Sequence, residues 1–130
     1  MTPPAGFSTV TPYIFVDGAA GFIEFLKAAF GAVELGRHLE PDKRVANAIL
    51  RIGTASFMLS DCTEAFPAMP SAHYLYVADA HAAMTQALEA GAIQVMEVGD
   101  MPYGDRQGGV RDPFGNLWWI SQRLVDTPYY

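Results

Sequence analysis

The amino-acid sequence predicts an α+β fold of two βαβββ modules, with curved mixed sheets forming a cleft and the helices outside. The main observation is an internal repeat. Three segments occur twice in the same order, and the copies of each lie 60 or 61 residues apart. The pairs are 13–16 with 74–77, 31–35 with 91–95, and 57–60 with 118–121. Such a repeat indicates that one supersecondary unit has been duplicated, so equivalent positions of the two copies can be compared.

The first module is predicted over residues 9–62 and begins with a strand and a helix. Residues 10–16 are rich in aromatic and β-branched side chains, which favour a strand. Apolar residues three and four positions apart then predict a helix over 19–30. Gly31 supplies the signal that ends this helix. Three further strands are expected, at 32–39, 45–52 and 55–60.

The second module is predicted over residues 72–124, after a linker at 63–71 that contains two prolines. Its helix is expected to begin at the N-cap residue Asp79 and to end at Gly91. The tail beyond the module is predicted to be loose from residue 126 onward. Four strands are expected, at 74–77, 93–98, 108–111 and 117–122.

The residue totals argue against several classes of protein. A formal net charge of −6 disfavours nucleic acid as a partner, because its phosphates attract basic surfaces. No apolar run approaches the ~18 residues of a membrane span, so no membrane partner is expected. Residues 1–4 lack the basic flank and apolar core of a secretory signal. Cys62 is the single cysteine, which excludes an internal disulfide and fits a cytoplasmic location.

Two motifs of the second module carry a family resemblance, YGDR at 103–106 and DPFGNLW at 112–118. With the duplicated βαβββ pattern, they resemble the glyoxalase/bleomycin-resistance/dioxygenase superfamily, also called vicinal oxygen chelate, and within it the PhnB-like branch. The resemblance covers residues 9–123 and implies a ligand cleft and a homodimer. It implies no single function, because members include metal-dependent isomerases, dioxygenases, thiol transferases and metal-free proteins that sequester drugs.

Metal-dependent members of this superfamily place one ligand on the first and last strand of each module. The resemblance puts these positions at Thr11 and Met58, and at Ala72 and Trp119. None of the four is the imidazole, carboxylate or thiolate that Ni²⁺, Zn²⁺ or Fe²⁺ prefers. We therefore expect no metal site and no cofactor. His73 is one residue away, and alternation along the strand puts it on the helix side or surface unless a bulge intervenes.

Alternation along the strands also predicts which side chains face the cleft. They are aromatic, with hydroxyl groups and a thioether, and such a wall offers stacking area and a few hydrogen bonds. We expect ligand contacts from Tyr13, Phe15, Met58, Ser60, Tyr74, Tyr76 and Trp119. Arg106 is expected near the cleft mouth, to clamp a carboxylate or stack on a ring, unless it pairs with Asp105, Asp112 or a backbone carbonyl. The alternative is that the aromatic rings simply fill a closed core.

The sequence favours a small-molecule binding protein over an enzyme. It contains no nucleophile constellation, phosphate loop or dinucleotide fingerprint, so no catalytic residue is assigned. Asp112 is expected only to cap its turn. We expect sequestration of a small aromatic or planar molecule, and the net charge of −6 suits a cation. The alternative is a metal-dependent lyase, isomerase or dioxygenase with a divergent site that uses His73.

Overall fold

The computed structural model describes residues 2–130, which form two compact units. The first unit ends at Pro70 and the second begins at Ser71. Each contains one helix and a four-stranded mixed sheet in the order βαβββ, so the predicted α+β fold with two similar modules is confirmed. Neither helix is long and apolar enough to cross a membrane.

The first unit has its strands in the sheet order β1-β4-β3-β2. Its elements are β1 (Tyr13–Val16), α1 (Ala19–Phe30), β2 (Val33–Leu39), β3 (Val45–Ile52) and β4 (Ala55–Asp61). β1 runs parallel to β4, and the other neighbours are antiparallel. β1 begins three residues later than predicted, because Pro12 has no amide hydrogen for a sheet and Thr11 bonds back to the Ser8 carbonyl at 2.9 Å.

Helix α1 packs on one face of this sheet through a stripe of apolar side chains. Phe22, Ile23 and Leu26 are fully buried there, as their helical spacing predicts. The helix ends at Gly31, which adopts a φ of 68°. The amides of Gly31 and Ala32 donate to the carbonyls of Lys27 and Leu26 in the last turn, at 3.1 and 3.2 Å. The predicted end of the helix is therefore confirmed.

The second unit repeats this topology in the sheet order β5-β8-β7-β6. Its elements are β5 (Ala72–Tyr76), α2 (Ala80–Glu89), β6 (Ile93–Asp100), β7 (Asp105–Arg111) and β8 (Leu117–Arg123). Asp79 caps α2 as predicted, because its carboxylate accepts from the Ala82 amide at 3.0 Å. β7 begins at Asp105, three residues earlier than predicted, because it stays paired with β8 as far as Arg123.

The turn between β7 and β8 is organised by the buried carboxylate of Asp112, which is 4% exposed. One oxygen accepts from the amides of Phe114 and Asn116 at 2.8 and 3.0 Å. The other accepts from the indole of Trp118 at 2.8 Å. The Asn116 side-chain oxygen in turn accepts from the Ser71 amide at 3.0 Å. The expected turn cap is confirmed, and these contacts account for the Asp, the Asn and the Trp of the DPFGNLW motif.

The last strand of each unit also caps the helix of that unit. Asp61 at the end of β4 accepts from the amides of Gly18 and Ala19 at 3.0 and 2.9 Å. Its repeat equivalent, Gln122 of β8, accepts from the amide of Ala80 at 3.0 Å. These bonds satisfy amide groups that a helix start otherwise leaves without a partner.

Candidate ligand-binding surfaces

In each unit, the sheet face opposite the helix carries aromatic side chains. On the helix side, Ile14 and Leu59 are almost completely buried. In the second unit, Ile120 on the helix side is also fully buried. On the opposite faces, Tyr13 of the first unit is 41% exposed, and Tyr74 and Tyr76 of the second unit are 43% and 57% exposed. The strand alternation that the sequence predicts is therefore present in both sheets.

The first unit brings four of the candidate residues together. Tyr13 and Phe15 of β1 lie beside Met58 and Ser60 of β4, respectively, in the parallel register. The rings of Tyr13 and Phe15 are 4.9 Å apart. Phe66, from the segment predicted as a linker, stacks on Phe15 at 5.5 Å with an angle of 12° between the rings. One aromatic face of this surface is therefore already covered from within the unit.

The groove that remains beside these rings has a volume of about 300 Å³. Besides Tyr13, Phe15, Ser60 and Phe66, residues at the start of β3, at the end of β4 and in the flanking loops line it. Among them is Arg44, whose guanidinium donates to the Cys62 carbonyl at 2.8 Å. Its volume is at the lower end of the range for ligand sites, about 300 to 1,000 Å³.

In the second unit, β5 and β8 bring Tyr74 beside Trp119 and Tyr76 beside Ser121. Trp119 lies over Gly109 of β7, its antiparallel partner. A Cβ atom at position 109 would come within 2.5 Å of the Trp119 ring. The absence of a side chain at Gly109 therefore lets the indole lie flat on the sheet, next to Tyr74.

Replacing Gly109 with alanine is expected to push the Trp119 ring off the sheet and to lower the free energy of unfolding by about 2 kcal/mol. Urea unfolding gives the energy, and near-ultraviolet circular dichroism reports the displaced indole. Gly99→Ala in β6 is the matched control, because its added Cβ meets nothing within 4 Å. Equal effects of the two substitutions would show that the indole does not depend on Gly109.

The second unit carries a groove with a volume of about 730 Å³, which is called the tyrosine groove below. It is lined by Tyr74, Tyr76, Tyr103, Pro128, Tyr129 and Tyr130. The prediction that residues 126–130 are loose is wrong. The Tyr129 hydroxyl donates to Asp105 at 2.6 Å, and the guanidinium of Arg123 donates to the Thr127 carbonyl. These two contacts hold the tail against the groove.

Asp105 is the fully buried anion of this surface. It accepts hydrogen bonds from the hydroxyls of Tyr74 and Tyr129 and from Arg123 Nη1, the last at 2.9 Å. Burial alone would raise the pKa of Asp105, but the hydrogen bonds from Tyr129, Tyr74 and Arg123 outweigh it and lower the pKa below its usual value. The carboxylate is therefore ionised at neutral pH and fixes both tyrosine rings.

Burial and the Asp105 hydrogen bond raise the pKa of Tyr74, so its hydroxyl remains a donor. The sequence interpretation gave Asp105 no site role. Two features of the sequence could have identified it. Asp105 belongs to the YGDR motif, and alternation along β7 puts it on the same face of the sheet as Trp119 and Ser121 of β8.

The structure does not place Arg106 with the other candidates. It pairs with Gln122 in the β7–β8 register, whereas its neighbours Asp105 and Gln107 occupy the tyrosine face. Because side chains alternate, Arg106 points to the helix side. Its guanidinium forms an ion pair with Asp100 at 2.7 Å. Arg106 therefore lies on the other face of the sheet from the tyrosines, and Arg123 supplies the guanidinium on the tyrosine face.

The sequence profile of the Glyoxalase/Bleomycin resistance protein/Dioxygenase superfamily matches residues 6–120. The chain belongs to this superfamily. An uncharacterised protein of Mycobacterium bovis is 38% identical over 129 aligned residues, which cover 91% of this chain and 85% of the relative.

Two solved structures also have a fold similar to that of this chain. A gene product of Arabidopsis thaliana is 29% identical, with a TM-score of 0.73, over 88% of this chain and 98% of its own. TioX from Micromonospora sp. ML1 has a TM-score of 0.74 over 90% of this chain and 99% of its own. At 24% identity, the likeness to TioX shows the fold alone.

The four positions at which the sequence resemblance implies metal ligands carry a hydroxyl, a thioether, a methyl and an indole group. Thr11 bonds to a backbone carbonyl, Met58 lies beside Tyr13, and Trp119 lies over Gly109. Ala72, at the fourth position, has no polar side chain. Within residues 2–130, no three His, Cys, Asp or Glu side chains are grouped closely enough to hold a metal ion.

His73, the alternative ligand, lies on the helix side of its strand as expected. Its ring stacks on Trp118 at 4.4 Å, and its Nε2 lies 2.8 Å from the Ser71 hydroxyl. Burial lowers the pKa of His73, so the imidazole tends to be neutral. Its register partner is Trp118 rather than Trp119, which places it away from the superfamily's ligand position.

Proposed function

We propose that this chain binds small planar aromatic molecules in the tyrosine groove, without a metal ion or cofactor, and sequesters them without catalysing a reaction. The observation that carries the proposal is the exposure of three rings around one groove. Tyr74, Tyr76 and Tyr103 have exposed fractions of 43%, 57% and 45%. The groove volume of about 730 Å³ lies within the range of small-molecule sites.

Exposed aromatic rings favour ligands that stack. Covering such rings removes apolar surface from water, and an offset or edge-to-face aromatic pair adds about 0.5 to 1.5 kcal/mol. The rings of Tyr74 and Tyr76 lie 5.2 Å apart and are tilted by 48°, so each presents a different face to a ligand. Tyr13, Phe15, Met58 and Ser60 form a second, smaller surface in the first unit, which we propose as an additional contact area.

The charge of the groove supports a neutral or cationic ligand. The Asp105 carboxylate is the buried anion, and its ion pair with Arg123 at 2.9 Å largely balances it. The chain as a whole carries a formal charge of −6, which repels anions over longer distances. A planar aromatic cation therefore combines the stacking and the charge that the surface favours.

The side chains at the superfamily's four ligand positions support binding without a metal. Two of them are Met58 and Trp119, which offer a thioether and an indole instead of imidazole or carboxylate. The alternative, a metal-dependent lyase, isomerase or dioxygenase that uses His73, predicts about one metal ion per chain after purification without chelator. Elemental analysis that finds this metal, together with its loss in His73→Ala, would overturn the metal-free proposal.

Two finer proposals rest on the sequence resemblance, and a third rests on the single cysteine. The YGDR and DPFGNLW motifs at 103–106 and 112–118 favour the PhnB-like branch. Homodimers are common in the superfamily, so we propose a homodimer. The single cysteine, Cys62, fits a cytoplasmic protein.

Fluorescence titration with acridine orange, a planar aromatic cation, tests the proposed function. We expect the wild-type protein to bind the dye and the double substitution Tyr74→Ala, Tyr76→Ala to weaken binding at least about tenfold, a loss of about 1.4 kcal/mol. Leu88→Ala removes an exposed apolar side chain from α2 and is the matched control. Unchanged affinity in the tyrosine variant, or no binding by the wild type, would contradict the proposal.

A further inference from the structure

Tyr129 occupies one end of the tyrosine groove in the way a ligand would. Its hydroxyl donates to Asp105 at 2.6 Å and lies 2.8 Å from the hydroxyl of Tyr76. The guanidinium carbon of Arg123 lies 4.1 Å from the centre of its ring. A hydrogen bond to a buried carboxylate and a cation over the ring face therefore fix this phenol in both direction and plane.

We propose that this end of the groove is a subsite for the phenol ring of a ligand, and that Tyr129 is an internal occupant that such a ligand displaces. This subsite assignment rests on the proposed function and adds a chemical class of ligand to it. The subsite itself consists of Asp105, Arg123 and Tyr76, none of which belongs to the tail.

The chemistry of the subsite selects a phenol over other rings. The Asp105 oxygen that accepts from Tyr129 also accepts from Tyr74, so displacement of Tyr129 removes one of its two donors. A phenol replaces that donor, whereas a hydrocarbon ring has none to offer. A carboxylate-bearing ring would bring a second negative charge against Asp105, which is unfavourable. A phenol provides the donor, carries no charge, and presents a π face to Arg123.

The contacts of the tail allow Tyr129 to leave. Residues 124–130 lie in neither a strand nor a helix. Tyr129 itself is 43% exposed, and its contacts with Asp105, Tyr76, Tyr103 and Arg123 all run through side chains. Because the occupant is tethered, it competes with a free ligand at an effective concentration of the order of millimolar. Removing the Tyr129 ring should therefore strengthen the binding of an added phenol.

The probe is 4-methylphenol, which has the structure of a tyrosine side chain. Isothermal titration calorimetry is expected to show at least about tenfold tighter binding to Tyr129→Ala than to the wild type, because the internal competitor is gone. The melting temperature of Tyr129→Ala should also rise with the concentration of 4-methylphenol. Tyr129→Ser is a second small variant for use if the alanine variant does not fold.

Two controls separate the subsite from general ring binding. Tyr129→Phe keeps the ring but loses the donor to Asp105, so its affinity for 4-methylphenol should lie between those of the wild type and Tyr129→Ala. 4-Methylanisole has a similar shape but no hydroxyl donor, so it should bind Tyr129→Ala at least about tenfold more weakly than 4-methylphenol. Equal binding of 4-methylphenol to the wild type and both small variants, or equal binding of the two compounds, would overturn the proposal.

The acridine orange titration, repeated on Tyr129→Ala, distinguishes this inference from the proposed function. If the dye still binds in a manner that depends on Tyr74 and Tyr76 while 4-methylphenol binds no variant, the phenol subsite is wrong and the aromatic binding surface stands. If 4-methylphenol binds Tyr129→Ala while no dye binds any form, the subsite stands and the broader function is wrong.

Discussion

Replacing Asp112 with alanine is expected to lower the free energy of unfolding by about 3 kcal/mol. The substitution leaves the amides of Phe114 and Asn116 and the indole of Trp118 without their common acceptor. The site is buried, so water cannot replace the carboxylate without opening the turn between β7 and β8. Urea unfolding followed by circular dichroism measures the change.

Asp17→Ala provides the matched control, since Asp17 is exposed. Its effect should stay within about 0.5 kcal/mol of zero. Asp112→Asn should be intermediate, because an amide side chain retains one acceptor oxygen. A loss below about 1 kcal/mol for Asp112→Ala would mean that other groups or water replace the carboxylate, and that the DPFGNLW turn does not depend on it.

Replacing Asp61 with alanine is expected to cost about 2 kcal/mol, and the equivalent Gln122→Ala less than about 1 kcal/mol. Asp61 accepts from three backbone amides, including that of Val45 at 2.7 Å, and α1 has no side-chain cap of its own. Helix α2 keeps its Asp79 cap when Gln122 is removed. Equal losses in the two variants, measured by urea unfolding, would contradict this account.

The contribution of Asp61 should also depend on pH. Burial would raise the pKa of Asp61, but hydrogen bonds from the amides of Ala19, Val45 and Gly18 outweigh it and hold the pKa below the usual 3.8. A carboxylate whose pKa is lower in the folded than in the unfolded chain stabilises the fold fully at any pH above the pKa of the unfolded chain. This stabilisation is lost as the pH falls through the pKa of the folded chain. The difference in stability between wild type and Asp61→Ala should therefore be constant above about pH 5 and shrink in acid.

The alternation of side chains was predictable from the sequence because it depends only on strand geometry. It correctly separated the exposed Tyr74 and Tyr76 from the half-buried Leu75 on the other face of the strand. The face on which Arg106 lies depends on where β7 starts, because the strand begins at Asp105, before the start that the sequence predicts. The three additional strand residues, 105–107, extend the alternation to this end, so that Asp105 faces the tyrosines and Arg106 does not.

The contacts of the tail could not be predicted from local patterns. Tyr129 and Asp105 are 24 residues apart, and no periodicity relates a residue outside any strand to a buried carboxylate. Phe66 likewise comes from a proline-containing segment that reads as a linker, yet its ring stacks on Phe15. In both units, the segments that partly cover the aromatic faces are the ones without regular secondary structure.

The starts of α1 and α2 are capped by side chains at different distances along the chain, and this affects the order in which the two helices fold. The cap of α2 comes from Asp79, three residues from the amide that it binds, so it can form as soon as the helix starts. The cap of α1 comes from Asp61, more than 40 residues along the chain, so it requires β4 to be in place and a long loop to be closed. Local contacts form earlier than distant ones in small domains. We therefore expect the start of α2 to gain hydrogen-exchange protection before the start of α1 during refolding, so that two copies of one ancestral unit become ordered at different times.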